Sequence, residues 1–201
     1  MRGEMHRANA KREVDRTRIA QAVREILLAL GENPEREGLI ETPERVADAY
    51  THLFAGLFED PDVYLEGGFA EGVRDLIIIR DLPVASLCEH HLLPFTGKAH
   101  VGYVPNGRVA GFSELVRVVE GYSRRPQLQE RLTAQIAESV HGRLGAVGAI
   151  AIVEAEHMCM TMRGAEATGS VAVTSAVRGV FEEDPSRRAE VLALISRDLP
   201  R

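Results

Sequence analysis

Cysteine, tryptophan and long apolar runs are scarce or missing in this chain. Its 201 residues contain no tryptophan and only two cysteines, Cys88 and Cys159. No run approaches the roughly 18 apolar residues of a membrane span, and the charged N-terminus lacks the apolar core of a signal peptide. These absences predict a cytoplasmic protein without membrane contact. In a reducing compartment the two thiols are better explained as metal ligands or catalytic groups than as a disulfide.

Positive charge is also in short supply. The 24 lysine and arginine residues are outnumbered by 30 aspartate and glutamate residues, which gives a net charge of −6. Because no basic stripe offsets this balance, the composition excludes a general nucleic-acid binder. The hydrophobic content of 45% is enough for a substantial core, and the length favours one domain with an appended element.

The order of helical and strand patterns divides the chain into three parts. Residues 1–15 are polar and aperiodic, so they are predicted to form a flexible N-terminal arm. Residues 16–66 carry two helical patterns, the first of which ends at Gly31. Residues 67–201 show the order β-β-α-α-β-β, followed by a short C-terminal helix. The predicted fold class is α+β with mainly antiparallel strands.

The two cysteines and one histidine suggest a metal site. Cys88 and His91 have C-x-x-H spacing, so both side chains can reach one ion from a single tight turn. A strand predicted over 149–163 places Cys159 on the same face as His157, because alternate residues share a side. Two thiolates and an imidazole suit zinc and leave a fourth position open, as in catalytic sites. The alternative is that the cysteines are small buried hydrophobes and the histidine satisfies core hydrogen bonds.

Neighbouring polar residues are candidates for proton transfer or substrate binding. His90 and His157 adjoin the proposed ligands without sharing their direction, so both are candidates for proton transfer. Glu130 follows Gln129 in a predicted helix. Its carboxylate can accept two adjacent N–H bonds, such as those on the Watson–Crick edge of guanine, although most helical glutamates face water.

Three separated segments resemble one known enzyme family. They are SLCEHHLLPFTGKAHVGYVP at 86–105, GFSELVRVVEGYSRRPQLQERLTAQIAE at 111–138, and VEAEHMCMTMRG at 153–164 followed by TSAVRG at 174–179. Their order and spacing resemble those of GTP cyclohydrolase I, and EREGLIETPERVADAY near the start also fits. The resemblance extends from about residue 16 to about residue 195.

The resemblance implies a fold, an assembly and a reaction. The fold is a T-fold, in which residues 67–201 form the catalytic domain and residues 16–66 a helical extension. Paired helices cover one side of an antiparallel sheet, and the sheets of neighbouring subunits join into a barrel, usually in a ring-shaped homodecamer. The implied reaction is hydrolytic opening of the guanine imidazole ring of GTP at C8, with zinc activating the water. It releases formate and gives 7,8-dihydroneopterin triphosphate.

The resemblance also implies residue roles. These are zinc binding by Cys88, His91 and Cys159, proton transfer by His90 and His157, guanine binding by Gln129 and Glu130, a substrate-pocket contact by Ser113, and phosphate binding by Arg117 and Arg163.

The sequence departs from the family where the phosphates are expected to bind. The family usually has G-L-S-K where this chain has Gly111-Phe112-Ser113-Glu114, so a positive charge becomes negative. The segment 165–173, which usually carries several basic residues, is AEATGSVAV here. Glu114 is expected to form a surface ion pair with Arg117, three residues along the same helix, or to turn towards Arg124.

Three functions follow from this departure. The first is GTP cyclohydrolase I, and the second is an enzyme with the same chemistry that acts on a less phosphorylated or modified guanine derivative. The third is a zinc-binding module without turnover. The first two predict zinc and differ in substrate.

Overall fold

A computed structural model describes residues 13–164 and 166–196 of the chain. The predicted arm lies outside these residues except for its last three positions. Helix α1 spans Arg16–Ala29 and begins where the Asp15 carboxylate accepts a hydrogen bond of 2.9 Å from the Arg18 N–H. It ends just before Gly31, which has a φ of 81°, as the sequence predicts. Helix α2 spans Thr42–Leu53, and short 3₁₀ helices follow at Ala55–Leu57 and Pro61–Leu65.

Strands form a two-stranded ribbon and a five-stranded sheet. The ribbon joins β1, Phe69–Ala70, to β4, Arg108–Val109. The sheet contains β2 at Ile77–Cys88, β3 at Pro94–Val104, β5 at Pro126–Gln127, β6 at Gly148–His157 and β7 at Ala172–Gly179. Its order is β5-β2-β3-β6-β7, and every pairing is antiparallel except that of β5 with β2. Strand β7 forms one edge, and at the other edge β5 pairs with only the last two residues of β2.

Helices cover both faces of the sheet, because the strands carry apolar side chains on each face. Helices α3, Phe112–Ser123, and α4, Gln129–Leu144, pack on one face over a core that includes Phe95 and Tyr103. On the other face α6, Val180–Glu183, and α7, Pro185–Ile195, enclose a smaller cluster around Phe181. The α+β prediction with an antiparallel sheet and paired helices is confirmed. None of the described helices is long and apolar enough to cross a membrane.

The strand predicted over 149–163 is wrong beyond His157. Strand β6 ends at His157, and α5, Met158–Thr161, is a single helical turn. The last β3 partner of β6 is Phe95, which pairs with His157, and β3 begins one residue earlier at a proline. Beyond that pair β3 offers no further residue for the ladder, so the backbone turns into a helix that satisfies its own hydrogen bonds.

A bulge interrupts β2 on the face covered by α7. The pairing of β2 with β3 shifts between Ile79 and Leu82, and Asp81 adopts a positive φ of 59°. The Asp81 N–H donates a hydrogen bond of 3.3 Å to Nδ1 of His100, which is buried. Burial lowers the pKa of His100, although the negative charges of Glu154 and Asp81 oppose that shift.

Candidate functional site

The candidate residues meet at one end of the sheet. Strand β2 ends at Cys88, β3 begins at Pro94, and β6 ends at His157. The ladder pairs Leu87 with Pro94 and Phe95 with His157, so the three strand ends are adjacent. Helix α4 begins beside them, because β5, which lies next to Cys88, leads directly into Gln129.

Cys88, His91 and Cys159 are brought together as predicted. The Cys88 carbonyl accepts a hydrogen bond of 2.8 Å from the Leu92 N–H, which closes a tight turn and returns His91 towards Cys88. Their Sγ and Nδ1 atoms are 3.9 Å apart, and the Cys159 sulfur on α5 completes a group whose ligand atoms all lie within 4.8 Å of one another. This group of two thiols and one imidazole can hold a metal ion.

The thiols of this group are crowded. Burial raises the pKa of Cys159, and the adjacent Cys88 raises it further by its charge and by a hydrogen bond. The positive charge of Arg163 works in the opposite direction, which places that side chain near the sulfur. Without a cation the two sulfurs therefore disfavour the double thiolate, and a bound metal ion would reverse that balance.

An ion pair fastens the turn that carries His91. Arg131 on α4 donates two hydrogen bonds, of 2.6 and 3.1 Å, to the carboxylate of Glu89. The pair is partly exposed, so it contributes little to the free energy of folding, and its main effect is to hold the turn in place. It ties the turn after Cys88 to the helix that carries Glu130.

His157 is held by three neighbours at the end of β6. Its ring stacks on Phe95 with a centroid distance of 4.6 Å and an interplanar angle of 11°. Its Nε2 lies 2.7 Å from Oε1 of Gln129. Burial lowers the pKa of His157, and the charge of Glu130 opposes that shift, so Glu130 also lies near the ring.

The other two predicted residues of this end differ in exposure. The His90 ring is exposed, and its Nδ1 is 4.0 Å from Cys88 Sγ, nearly as close as the corresponding atom of His91. The Gln129 side chain is buried and bonded within the chain, through its oxygen to His157 and through its nitrogen to strand carbonyls. Glu130, in the first turn of α4, is exposed and is the acid of this end best placed for a ligand.

Ser113 lies near the opposite end of the sheet from the metal group. Helix α3 begins after Ala110, whose N–H donates to the Tyr103 hydroxyl at 3.1 Å. Tyr103 is eight residues along β3 from Phe95, which corresponds to about 26 Å at the rise of a strand. The predicted catalytic and substrate residues therefore separate into two groups within one chain. His90, Glu130, His157 and Arg163 lie with the metal group, and Ser113 lies far from it.

Glu114 and Arg117 do not form the expected ion pair. The Glu114 carboxylate turns back and accepts a hydrogen bond of 2.8 Å from the Gly111 N–H, so it caps the N-terminus of α3. The guanidinium of Arg117 lies over the Tyr64 ring, 5.5 Å from its centroid. Arg124 pairs instead with Glu120. The negative charge of Glu114 thus stays at the start of α3, and it forms no ion pair with an arginine within the part of the chain that the structure describes.

Three parts of this site were missed at the sequence level. They are the stacking of Phe95 on His157, the bonds from Gln129 to the strands, and the pair of Glu89 with Arg131. All three contacts join residues that are far apart in the sequence, so no local pattern indicates them.

Comparisons with known proteins give one family match over most of the chain. A sequence profile described as GTP cyclohydrolase I matches residues 19–196. The chain is 56% identical over 185 residues to "GTP cyclohydrolase 1" of Rhodopirellula baltica, covering 92% of this chain and 81% of that protein. It is 54% identical over 188 residues to the protein of the same name from Carboxydothermus hydrogenoformans, covering 93% and 98%.

A further relative and one solved structure complete the comparison. "GTP cyclohydrolase 1" of Listeria monocytogenes serotype 4b is 54% identical over 187 residues, which cover 92% of this chain and 99% of that protein. The apo crystal structure of an archaeosine synthase QueF-Like protein aligns with a TM-score of 0.44 at 20% identity. The alignment covers 52% of this chain and 93% of that one.

Proposed function

The chain belongs to the GTP cyclohydrolase I family, and from that premise we propose that it opens the imidazole ring of GTP by zinc-dependent hydrolysis. Water adds at C8, formate leaves, and the product is 7,8-dihydroneopterin triphosphate. The observation that carries the proposal is the convergence of Cys88, His91 and Cys159 beside His157 and Glu130. Relatives above 50% identity over about nine tenths of the chain support GTP as the substrate over the less phosphorylated alternative.

The donor atoms suit zinc. Four-coordinate zinc has bonds of about 2.3 Å to sulfur and 2.05 Å to nitrogen, so its sulfur and nitrogen ligands lie about 3.6 Å apart. The observed separation of 3.9 Å between Cys88 and His91 agrees with this geometry. Three protein ligands would leave the fourth coordination position of zinc open for water. Zinc held by these residues would act as a Lewis acid that makes water a better nucleophile.

The residues around the metal group supply binding and proton transfer. Glu130 is suited to accept the N1–H and the exocyclic amine of guanine, two adjacent donors that match one carboxylate. His157 is suited to move a proton at the reacting base, because burial lowers its pKa and so favours the neutral ring. His90 is the second proton-transfer candidate, since its ring is exposed beside Cys88. Ring opening needs such help because a nitrogen leaving group must be protonated.

Part of the predicted substrate pocket is proposed to come from a second copy of the chain. Ser113, a predicted substrate residue, follows Ala110, which bonds to Tyr103, and Tyr103 lies about 26 Å along β3 from the Phe95 that pairs with His157. Strand β7 and most of β2 are free to pair at the two edges of the sheet within the described part of the chain. We infer a ring-shaped homo-oligomer in which Ser113 and Arg117 of one copy complete the site of its neighbour.

Substrate and metal are tested together. Zinc-loaded protein is incubated with GTP, GMP and guanosine, while formate release and pterin fluorescence are measured. The proposal expects turnover of GTP, with kcat/KM highest for the triphosphate. His157→Ala is the matched control, since it keeps all three metal ligands and loses the proposed proton-transfer group. Equal kcat/KM for GTP and guanosine would contradict the substrate, and absence of turnover on all three would contradict the reaction.

A further inference from the structure

A partly buried network of hydrogen bonds reaches from two threonines to His157. Thr133 Oγ1 lies 2.7 Å from the backbone carbonyl of Gln129 and 2.6 Å from Thr174 Oγ1. A carbonyl only accepts, so the single hydroxyl proton of Thr133 is directed to it. Thr174 is then the donor between the two hydroxyls, and its oxygen remains available as an acceptor.

The amide of Gln129 can face only one way. Its Nε2 lies 2.9 Å from the Val153 carbonyl, 2.9 Å from the Ala172 carbonyl and 3.1 Å from Thr174 Oγ1. If the amide were flipped, its oxygen would face two carbonyl oxygens and no donor from those strands. The surrounding acceptors therefore fix the NH₂ group towards β6 and β7, and Oε1 towards His157.

The orientation of this amide determines where His157 carries its proton. Oε1 of Gln129 has no hydrogen to give, and it lies 2.7 Å from Nε2 of His157. The N–H of the neutral ring must then be on Nε2, and the lone pair on Nδ1. Stacking on Phe95 at 4.6 Å holds the plane of the ring, so turning it over would disrupt packing as well as a hydrogen bond.

We propose that Gln129, itself held by Thr174 and Thr133, is a positioning residue that fixes His157 in the Nε2–H tautomer. Only Nδ1 is then free to exchange protons with the reacting molecule. In its neutral form the ring can accept a proton only at Nδ1. This inference rests on the proposed function, and it gives Gln129 a role other than the substrate contact that the family resemblance implies.

The tautomer is measured directly by ¹⁵N NMR of zinc-loaded protein with labelled histidine. Spectra are recorded near pH 8.5, about two units above an ordinary imidazole pKa. His157→Asn identifies the signals among the seven histidines. The expected spectrum has a protonated, pyrrole-type Nε2 and a pyridine-type Nδ1 for His157. A protonated Nδ1, or a mixture of both tautomers, in the wild-type protein would overturn the proposal.

Variants separate positioning from substrate binding. Gln129→Met fills the same volume without an amide, so His157 should show mixed tautomers and kcat should fall by about tenfold or more, with KM for GTP within about twofold. A raised KM with unchanged kcat would make Gln129 a substrate ligand instead. Should this variant not fold, Thr174→Val, which is isosteric, is expected to shift the His157 signals, and Thr174→Ser to restore them. Unchanged signals in Thr174→Val would overturn the part assigned to the threonine.

The spectrum needs no substrate, so this inference and the proposed function fail separately. A wrong tautomer in an enzyme that releases formate from GTP contradicts only the role of Gln129. Absence of formate release together with the expected tautomer contradicts only the reaction.

Discussion

Glu114 combines a stabilising contact with an unfavourable charge. Its carboxylate caps α3 through the Gly111 N–H, and a negative charge near a helix N-terminus is favourable. The same charge disfavours phosphate, because two unit charges 4 Å apart interact by about 1 kcal/mol in water and more at lower dielectric. A substitution that keeps the cap and removes the charge separates the two effects.

Glu114→Gln is predicted to tighten the binding of GTP. Glutamine can still accept the Gly111 N–H, so the melting temperature should stay within a few degrees of the wild-type value. Loss of the repulsion should lower KM for GTP by roughly fivefold or more, the equivalent of about 1 kcal/mol. Steady-state kinetics with guanosine serve as the control, since that substrate has no phosphate. An unchanged KM for GTP would mean that Glu114 does not face the phosphates.

Cys159→Ala is predicted to abolish stable zinc binding. The variant leaves Cys88 and His91, and two ligands do not hold zinc against dialysis. Metal analysis should fall from about one zinc per chain to near zero. Met162→Ala, an exposed change in the same segment, is the matched control and should keep its zinc. One zinc per chain in the cysteine variant would refute the ligand set.

Residue identities at the site were more predictable than residue directions. The C-x-x-H spacing and the second cysteine identified the metal group without any structure. That the Gln129 side chain is turned inward was not predictable, because its partners are carbonyls of Val153 and Ala172, which any residue type could supply. Side-chain direction here depends on backbone atoms, and the sequence carries no local signal for them.

At the scale of elements, α5 shows where a local pattern misleads. Residues 157–163 alternate polar and apolar side chains, as a half-buried strand would. The strand nevertheless stops at His157, since β3 begins only at Pro94 and provides no later partner. The end of β6 is therefore set by Pro94, which lies more than sixty positions earlier in the sequence. Cys159 reaches the metal group from a helical turn, whereas the prediction had it on a strand face.

The bulge in β2 predicts an acid-sensitive contact. Because burial lowers the pKa of folded His100 below the unfolded value of about 6.5, the unfolded chain binds a proton there that the folded chain does not. The contribution of His100 to stability is therefore complete above about pH 6.5. It is lost as the pH falls from there towards the lowered pKa, by at most about 1.4 kcal/mol per pH unit.

His100→Asn should flatten that pH dependence. The asparagine oxygen can accept the Asp81 N–H but does not titrate. Urea unfolding at several pH values below 7 measures the difference between the wild-type protein and the variant. Since both proteins keep the metal group, its own acid sensitivity cancels in that difference. Parallel stability curves for the two proteins would show that His100 binds a proton equally well when folded and unfolded.

At the scale of the whole molecule, the separation of Ser113 from His157 predicts complementation between inactive variants. His157→Ala and Arg117→Glu should each be nearly inactive alone. Mixed rings should regain activity, because some sites combine an intact metal end from one variant with an intact phosphate end from the other. With random mixing about a quarter of the sites are intact. Formate release after the two proteins are dissociated and reassembled together measures this recovery.

Two controls accompany that experiment. Each variant reassembled alone should stay inactive, and a double variant mixed with either single variant should give no recovery. Activity in the mixture no greater than the sum of the separate variants would show that each site is built from one chain.

The general architecture was predictable because periodicity and family likeness agree. The four long strands, the paired helices and their order were anticipated, since each buries a regular apolar face, whereas the short strands β1, β4 and β5 and the turn α5 were not. The division of the candidate site between two ends was not, although the same residues were named. Their separation appears only when Tyr103 and Phe95 are seen at opposite ends of one strand. Sequence proximity to a motif carries no information about which end of a sheet a loop reaches.

The distance between those two ends also bears on inheritance. In the proposed ring each chain would contribute to two reaction centres, one with its metal end and one with its α3 end. A chain with a defective α3 keeps its own metal end sound and silences its neighbour's site. With equal expression of a healthy and an α3-defective chain, half of all sites would stay intact, because healthy α3 ends would also serve the metal ends of the defective chains. Two inactive alleles, one defective at each end, would by the same reasoning partly rescue one another.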